Sequence, residues 1–135
     1  MCYSGKMKYL DELNDRQKEA VFHQFGPLLV VAGAGAGKTK TIIARIANLI
    51  ASGVAPEEIL AVTFTNKAAG EMRDRLEKML AIGKPQFDPD RFQPNYPLVS
   101  SFHSLGVYIL RQQASKIGLN RHFTILDRAD SIAKI

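Results

Sequence analysis

The residues best suited to chemistry lie at 32–39, AGAGAGKT, where a run of alanine and glycine ends in Lys38 and Thr39. The spacing is that of a phosphate-binding loop, G-x-x-x-x-G-K-[ST], with Ala32 in the first glycine position. Small residues are needed because successive backbone N–H groups must curl around a phosphate. A side chain at Gly35 or Gly37 would block that approach or forbid positive φ. Lys38 adds a full charge between β- and γ-phosphates, where it can also steady a transition state, and the Thr39 hydroxyl can ligate Mg2+. Ala32, Gly33, Ala34, Gly35, Ala36, Gly37, Lys38 and Thr39 are therefore the expected cradle for a nucleoside triphosphate. The loop does not say which reaction follows.

Such a loop works between a strand and a helix, and the sequence offers both. Residues 28–32, LLVVA, are a continuous apolar run bounded by turn residues, which predicts a buried parallel strand. Residues 37–52 predict a helix with an apolar stripe of Ile42, Ile43, Ile46, Leu49 and Ile50, ended by Gly53. Upstream, residues 14–25 predict a helix capped by Asn14, with Gln17 three residues later as in a capping box. Residues 59–63, ILAVT, predict a second strand, and residues 66–80 a second helix, although Gly70 inside it costs about 1 kcal/mol relative to alanine. The stretch 83–97 is rich in proline and reads as a surface loop. Residues 98–102 predict a third strand, 103–117 a helix ended by Gly118, and 123–127 a short fourth strand before another helix begins. The alternation predicts an α/β fold, a parallel sheet with flanking helices and right-handed crossovers. The loops at 32–39, 63–67 and 101–104 all follow predicted strands, so they should gather along the carboxyl edge where such sheets bind ligands.

With 135 residues, 46% of them apolar, the chain has about one domain's length and enough material for a core. The formal net charge of +5 suits a polyanionic partner such as nucleic acid, though many enzymes share it. Cys2 is the only cysteine, so there is no internal disulfide to form, and a reducing compartment is the natural expectation. No apolar run approaches the roughly 18 residues of a membrane helix, and the first residues lack a signal-peptide core. The expectation is a soluble, cytoplasmic protein with no membrane partner.

Three stretches flank the loop: LNDRQKEAV at 13–21, AVTFTNKAAGEMRDRL at 61–76 and SFHSLGVYILR at 101–111. In this order around AGAGAGKT they resemble the opening motifs of superfamily 1 DNA helicases of the UvrD/Rep/PcrA type, namely the Q motif and motifs I, Ia and Ib. The resemblance spans nearly the whole chain apart from the first ten residues and the proline-rich stretch. It implies a P-loop NTPase fold of the RecA-like kind, ATP and Mg2+ as cofactors, and single-stranded DNA and duplex junctions as partners. It implies that Gln17 recognises the adenine edge; the same glutamine could simply close a capping box. The resemblance also counts Lys40 among the nucleotide-binding residues; it stands where many relatives have arginine, and a lysine is a point charge that cannot lie flat along a base. The resemblance places Phe64, Thr65 and Asn66 on single-stranded DNA, with Phe64 stacking a base; Phe64 could equally be a core aromatic and Asn66 an ordinary helix cap. His103 and Ser104 match a further DNA-facing loop, in which Ser101 stands for the usual threonine.

Turnover of NTP needs an Asp for Mg2+ and a Glu for water, on a separate strand. Asp11-Glu12 precedes the loop and follows no strand, and Asp127 is followed by Arg128 where the second acid should stand. The expectation is the N-terminal portion of RecA-like ATP-binding domain 1A over residues 1–135, with about 120–135 leading toward an inserted 1B subdomain and domains 2A and 2B elsewhere. The full-length protein is expected to be an ATP-dependent 3′-to-5′ DNA helicase at the bacterial nucleoid, and the chain alone to lack hydrolysis and unwinding. The same motifs open the helicase arm of RecB/AddA-type helicase–nucleases. A small phosphate-loop kinase would leave TFTNKAA without a role, and a non-catalytic single-stranded DNA-binding module would bind without responding to nucleotide.

Overall fold

The structure is a computed structural model that describes residues 8–80 and 95–125. Its helices are α1 (Lys8–Asp11), α2 (Asp15–Phe22), α3 (Lys38–Ala51), α4 (Asn66–Leu80) and α5 (Phe102–Gln113). Its strands are β1 (Leu60–Thr63) and β2 (Leu98–Ser101), and short 3-10 turns precede β1 and follow α5. The strands pair in parallel, in register from Leu60 opposite Leu98 to Thr63 opposite Ser101. This is the mixed helix-and-strand arrangement expected of a crossover unit, with α4 as the connecting helix.

Local chemistry explains the boundaries. Asn14 caps α2 through a complete capping box with Gln17. Gly37, at φ 80°, turns the chain in the left-handed region and releases α3 directly behind it. Thr65 caps α4, its Oγ1 accepting from the Ala68 N–H at 3.1 Å, so the cap is Thr65 rather than Asn66. Ser101 caps α5 in the same way toward Ser104. The helix predicted over 103–117 thus begins one residue earlier and tightens into a 3-10 turn over Ala114–Ile117.

Helix α3 is buried on two sides. Ile43 and Ile46 join Ile59, Ala61, Ala69, Met72, Leu76, Tyr96 and Val99 in the main core, between α3, α4 and the strands. Ala44 packs against Leu13 and Val21 in a second cluster. Two polar side chains of α3 finish α2: Arg45 Nη1 donates to the Ala20 carbonyl at 2.6 Å and Asn48 Nδ2 to the Val21 carbonyl at 3.3 Å. These are the carbonyls that a helix end leaves unsatisfied. Arg73, which on sequence resembles a solvated surface charge, ties α4 to β2 by donating from Nη1 to the Val99 carbonyl at 2.9 Å.

The strand predicted over 28–32 is not formed. Leu29 and Val31 are 86% and 87% exposed, and the segment is irregular. An apolar strand of this kind is stable only when neighbours accept and donate along both edges. Here β1 and β2 pair with each other, and among the described residues no strand borders 28–32. Residues 123–125 are likewise irregular. The rest of that predicted strand, with Asp127 and Arg128, lies outside the described residues, as does the proline-rich stretch up to residue 94.

Candidate functional site

The phosphate loop leaves the irregular segment at Ala32 and enters α3 at Lys38. Its curvature comes from Gly35 and Gly37, at φ 75° and 80°, and from a turn in which the Ala36 N–H donates to the Gly33 carbonyl. Lys38 folds back over the loop, its Nζ donating to the Ala32 carbonyl at 2.8 Å and the Gly33 carbonyl at 2.7 Å. Thr39 follows in the first turn of α3, partly buried. A Cβ added at Gly33 or Gly35 would meet nothing within 4 Å, so open space borders the loop where a phosphate would lie. The first turn of α3 presents unpaired N–H groups and the positive end of the helix dipole. Lysine, hydroxyl, small residues and helix N-terminus together fit a nucleoside triphosphate and its Mg2+.

Gln17 does two things at once. Its Oε1 accepts from the Asn14 N–H at 3.0 Å within the capping box, while its Nε2 donates to the Ala36 carbonyl at 3.1 Å. The side chain therefore joins the start of α2 to the phosphate loop. A Cβ at Gly37 would stand 2.8 Å from Gln17 Nε2, the far end of a flexible side chain, so it is the φ of 80° that calls for glycine there. Lys40 points the other way. Its Nζ donates to the Glu12 carbonyl at 3.1 Å and to Glu12 Oε2 at 2.7 Å. That hydrogen bond and the ammonium charge hold the Glu12 carboxyl below the usual carboxylate range. Lys40 and Glu12 line a cleft of about 770 Å³ shared with Tyr9, Arg75 and Lys78.

The loops after β1 and β2 lie side by side because the strands run in parallel register. Phe64 is 87% exposed, and its ring meets that of Phe102 edge to face, with centroids 6.3 Å apart and planes at 75°. Asn66, although exposed, bonds to Ser104. Ser101 Oγ donates to Asn66 Oδ1 at 2.6 Å, and Ser104 Oγ donates to the same oxygen at 2.9 Å. This knot lines a small polar cavity of about 230 Å³ with Arg73 and Ser100. His103 is exposed beside it, and Thr65 is exposed while capping α4. The structure thus brings Phe64, Thr65, Asn66, His103 and Ser104 to the ends of paired strands, and Gln17 to the phosphate loop. Sequence reasoning missed Ser101 as a cross-link and Phe102 as a surface aromatic. The signal was present in the matched endings T-F-T and S-F-H of the two strands.

A glycine-curved loop feeding a helix, with a lysine and a threonine at the helix start, is the arrangement that phosphate-binding loops share. Comparison with known sequences narrows the class. Residues 13–135 match the family described as the UvrD/REP helicase N-terminal domain, and the chain belongs to that family. The ATP-dependent DNA helicase PcrA of Bacillus subtilis is 48% identical over 93% of this chain and 16% of its own length. The ATP-dependent DNA helicase UvrD1 of Mycobacterium leprae is 50% identical over 92% of this chain and 15% of its own length. PcrA of Staphylococcus aureus is 44% identical over 90% of this chain. The chain therefore spans about one sixth of the length of these relatives. Among the described residues, no helix is long and apolar enough to cross a membrane.

Proposed function

We propose that this chain is the ATP-binding front of an ATP-dependent DNA helicase, and that the full-length protein moves 3′ to 5′ along single-stranded DNA. In this reading residues 1–135 are the N-terminal portion of a RecA-like, P-loop NTPase domain 1A, and about 120–135 lead toward an inserted 1B subdomain. The remaining motor domains, 2A and 2B, are its partners, together with single-stranded DNA and duplex junctions. Its place is the bacterial cytoplasm. Relatives named ATP-dependent DNA helicases at 48% and 50% identity support the reading.

The observation that carries it is Lys38 poised over a loop bent by Gly35 and Gly37 at the start of α3. The Lys38 ammonium leaves the Ala32 and Gly33 carbonyls for the phosphates, and the N–H groups of the loop and of α3 close around them. Gln17, fixed by the capping box, holds the loop through Ala36 and offers its remaining amide valences to an adenine edge. Thr39 is the side chain placed to hold Mg2+, which when bound neutralises developing phosphate charge. Phe64, Thr65, Asn66, His103 and Ser104 meet the nucleic acid at the other loops, Asn66 and Ser104 while bonded to each other. This chain binds ATP and single strands without unwinding and with negligible turnover, because its sequence offers no Asp–Glu pair after a predicted strand, and hydrolysis needs one.

Equilibrium binding of a fluorescent ATP analogue to the wild type and to Lys38→Ala tests the phosphate loop. The expected result is a loss of affinity of at least about tenfold in the variant, in line with about 1.5–3 kcal/mol for a charge-assisted hydrogen bond. Equal affinity overturns the assignment.

A further inference from the structure

We infer that Phe102 is a second base-stacking residue, forming with Phe64 a two-ring platform that receives a base of single-stranded DNA at the carboxyl ends of β1 and β2. The inference rests on the proposal that this edge meets single strands, and it adds a residue and a geometry to it.

The strand register produces the pair. Thr63 lies opposite Ser101, so the next residue of each parallel strand, Phe64 and Phe102, emerges at the same level. The rings stand 6.3 Å apart at 75°, an edge-to-face pair. Phe102 is 60% exposed and Phe64 87%, although the main core lies directly beneath both strands. Two large aromatics left in water at a strand end bury little area, so their contribution to folding is small.

The platform is fixed from below. Asn66 Oδ1 accepts from both Ser101 Oγ and Ser104 Oγ, which bonds the first residue of α4 to the cap and first turn of α5. Loops joined in this way hold their aromatics at a set spacing, and a preorganised ring loses little entropy when a base arrives. The surroundings suit a polyanion. Residues 59–70 contain Lys67 and no acid, and residues 96–125 contain Arg111, Lys116 and Arg121 and no acid. Basic groups beside stacking rings are what sequence-tolerant recognition of single strands requires. The uncharged, exposed rings match a nucleobase face, and Lys67, three residues after Phe64, supplies a cation for its backbone.

The test uses the 135-residue chain with labelled oligodeoxythymidine and an abasic strand of equal length. Phe102→Ala is expected to weaken binding of oligodeoxythymidine by about five- to a hundredfold while leaving the abasic strand within about twofold. Phe102→Trp introduces the sole tryptophan of the chain, since the wild type has none. It is expected to bind like the wild type and to lose emission on adding oligodeoxythymidine but not the abasic strand. Unchanged far-UV circular dichroism shows that each variant keeps its fold. If Phe64→Ala removes the preference for bases and Phe102→Ala does not, the second ring is refuted and the single-strand reading stands. The same holds if the tryptophan is quenched equally by both strands. A wild type that binds neither strand overturns the underlying reading as well.

Discussion

Two sets of loops in this molecule are secured in opposite ways. The phosphate loop is bonded to itself and to one side chain. Lys38 closes on carbonyls five and six residues back, Gln17 reaches in from α2, and the apolar segment before the loop stands in solvent. The loops after β1 and β2 are cross-linked by side chains far apart in sequence and sit on the main core. The first set owes its shape to backbone dihedrals at glycines, the second to packing and to a shared acceptor. A loop built from dihedrals keeps its space open for a ligand, whereas a cross-linked loop presents side chains already in place.

Substitutions can break or sharpen that contrast. The largest effect is expected under the strand-end loops. Leu76 is fully buried in the main core, and Leu76→Ala should cost about 2–5 kcal/mol, read as a lower urea midpoint. A loss below about 1 kcal/mol would mean that this half is no better packed than the other. A smaller effect follows from Tyr96, whose half-buried hydroxyl donates to the Arg73 carbonyl at 3.2 Å. Burial, with Glu77 nearby, pushes its pKa from 10.0 up to about 12. Because the folded value is raised, its stabilising contribution is complete below pH 10.0 and is lost as pH rises through about 12. Urea midpoints should fall over that window in the wild type and stay flatter in Tyr96→Phe. The smallest effect is expected at the other region. Leu29 is exposed, so Leu29→Ser should shift stability by no more than about 0.5 kcal/mol. A loss of several kcal/mol would place a buried strand at 28–32 after all.

Much of this was legible in the sequence because it is local. Caps, glycine turns and helical periodicity depend on neighbours within a few residues, and α2, α3 and α4 appear close to where those signals put them. The bend at Gly35 and Gly37 and the start of α3 behind it were legible for the same reason. The strand at 28–32 was misread because an apolar run states only that it needs covering, not what covers it. Asn66 and Ser104 were read singly as ligand contacts, while the structure pairs them through Ser101, a relation that depends on the strand register. Phe102 was counted as the end of a strand, and only the pairing of Thr63 with Ser101 sets it beside Phe64.

The separation of bonded partners along the chain also fixes an order of manufacture. The bonds of Lys38 to its own loop span five and six residues, and that of Gln17 spans 19. Those of the Asn66 knot span 35 and 38. On a ribosome, every atom of the loop at 32–39, and of the Gln17 that reaches it, exists long before the serines that lock the strand-end loops have been added. Synthesis delivers the glycine-curved loop first, and the locked strand ends only when the chain has come back alongside itself.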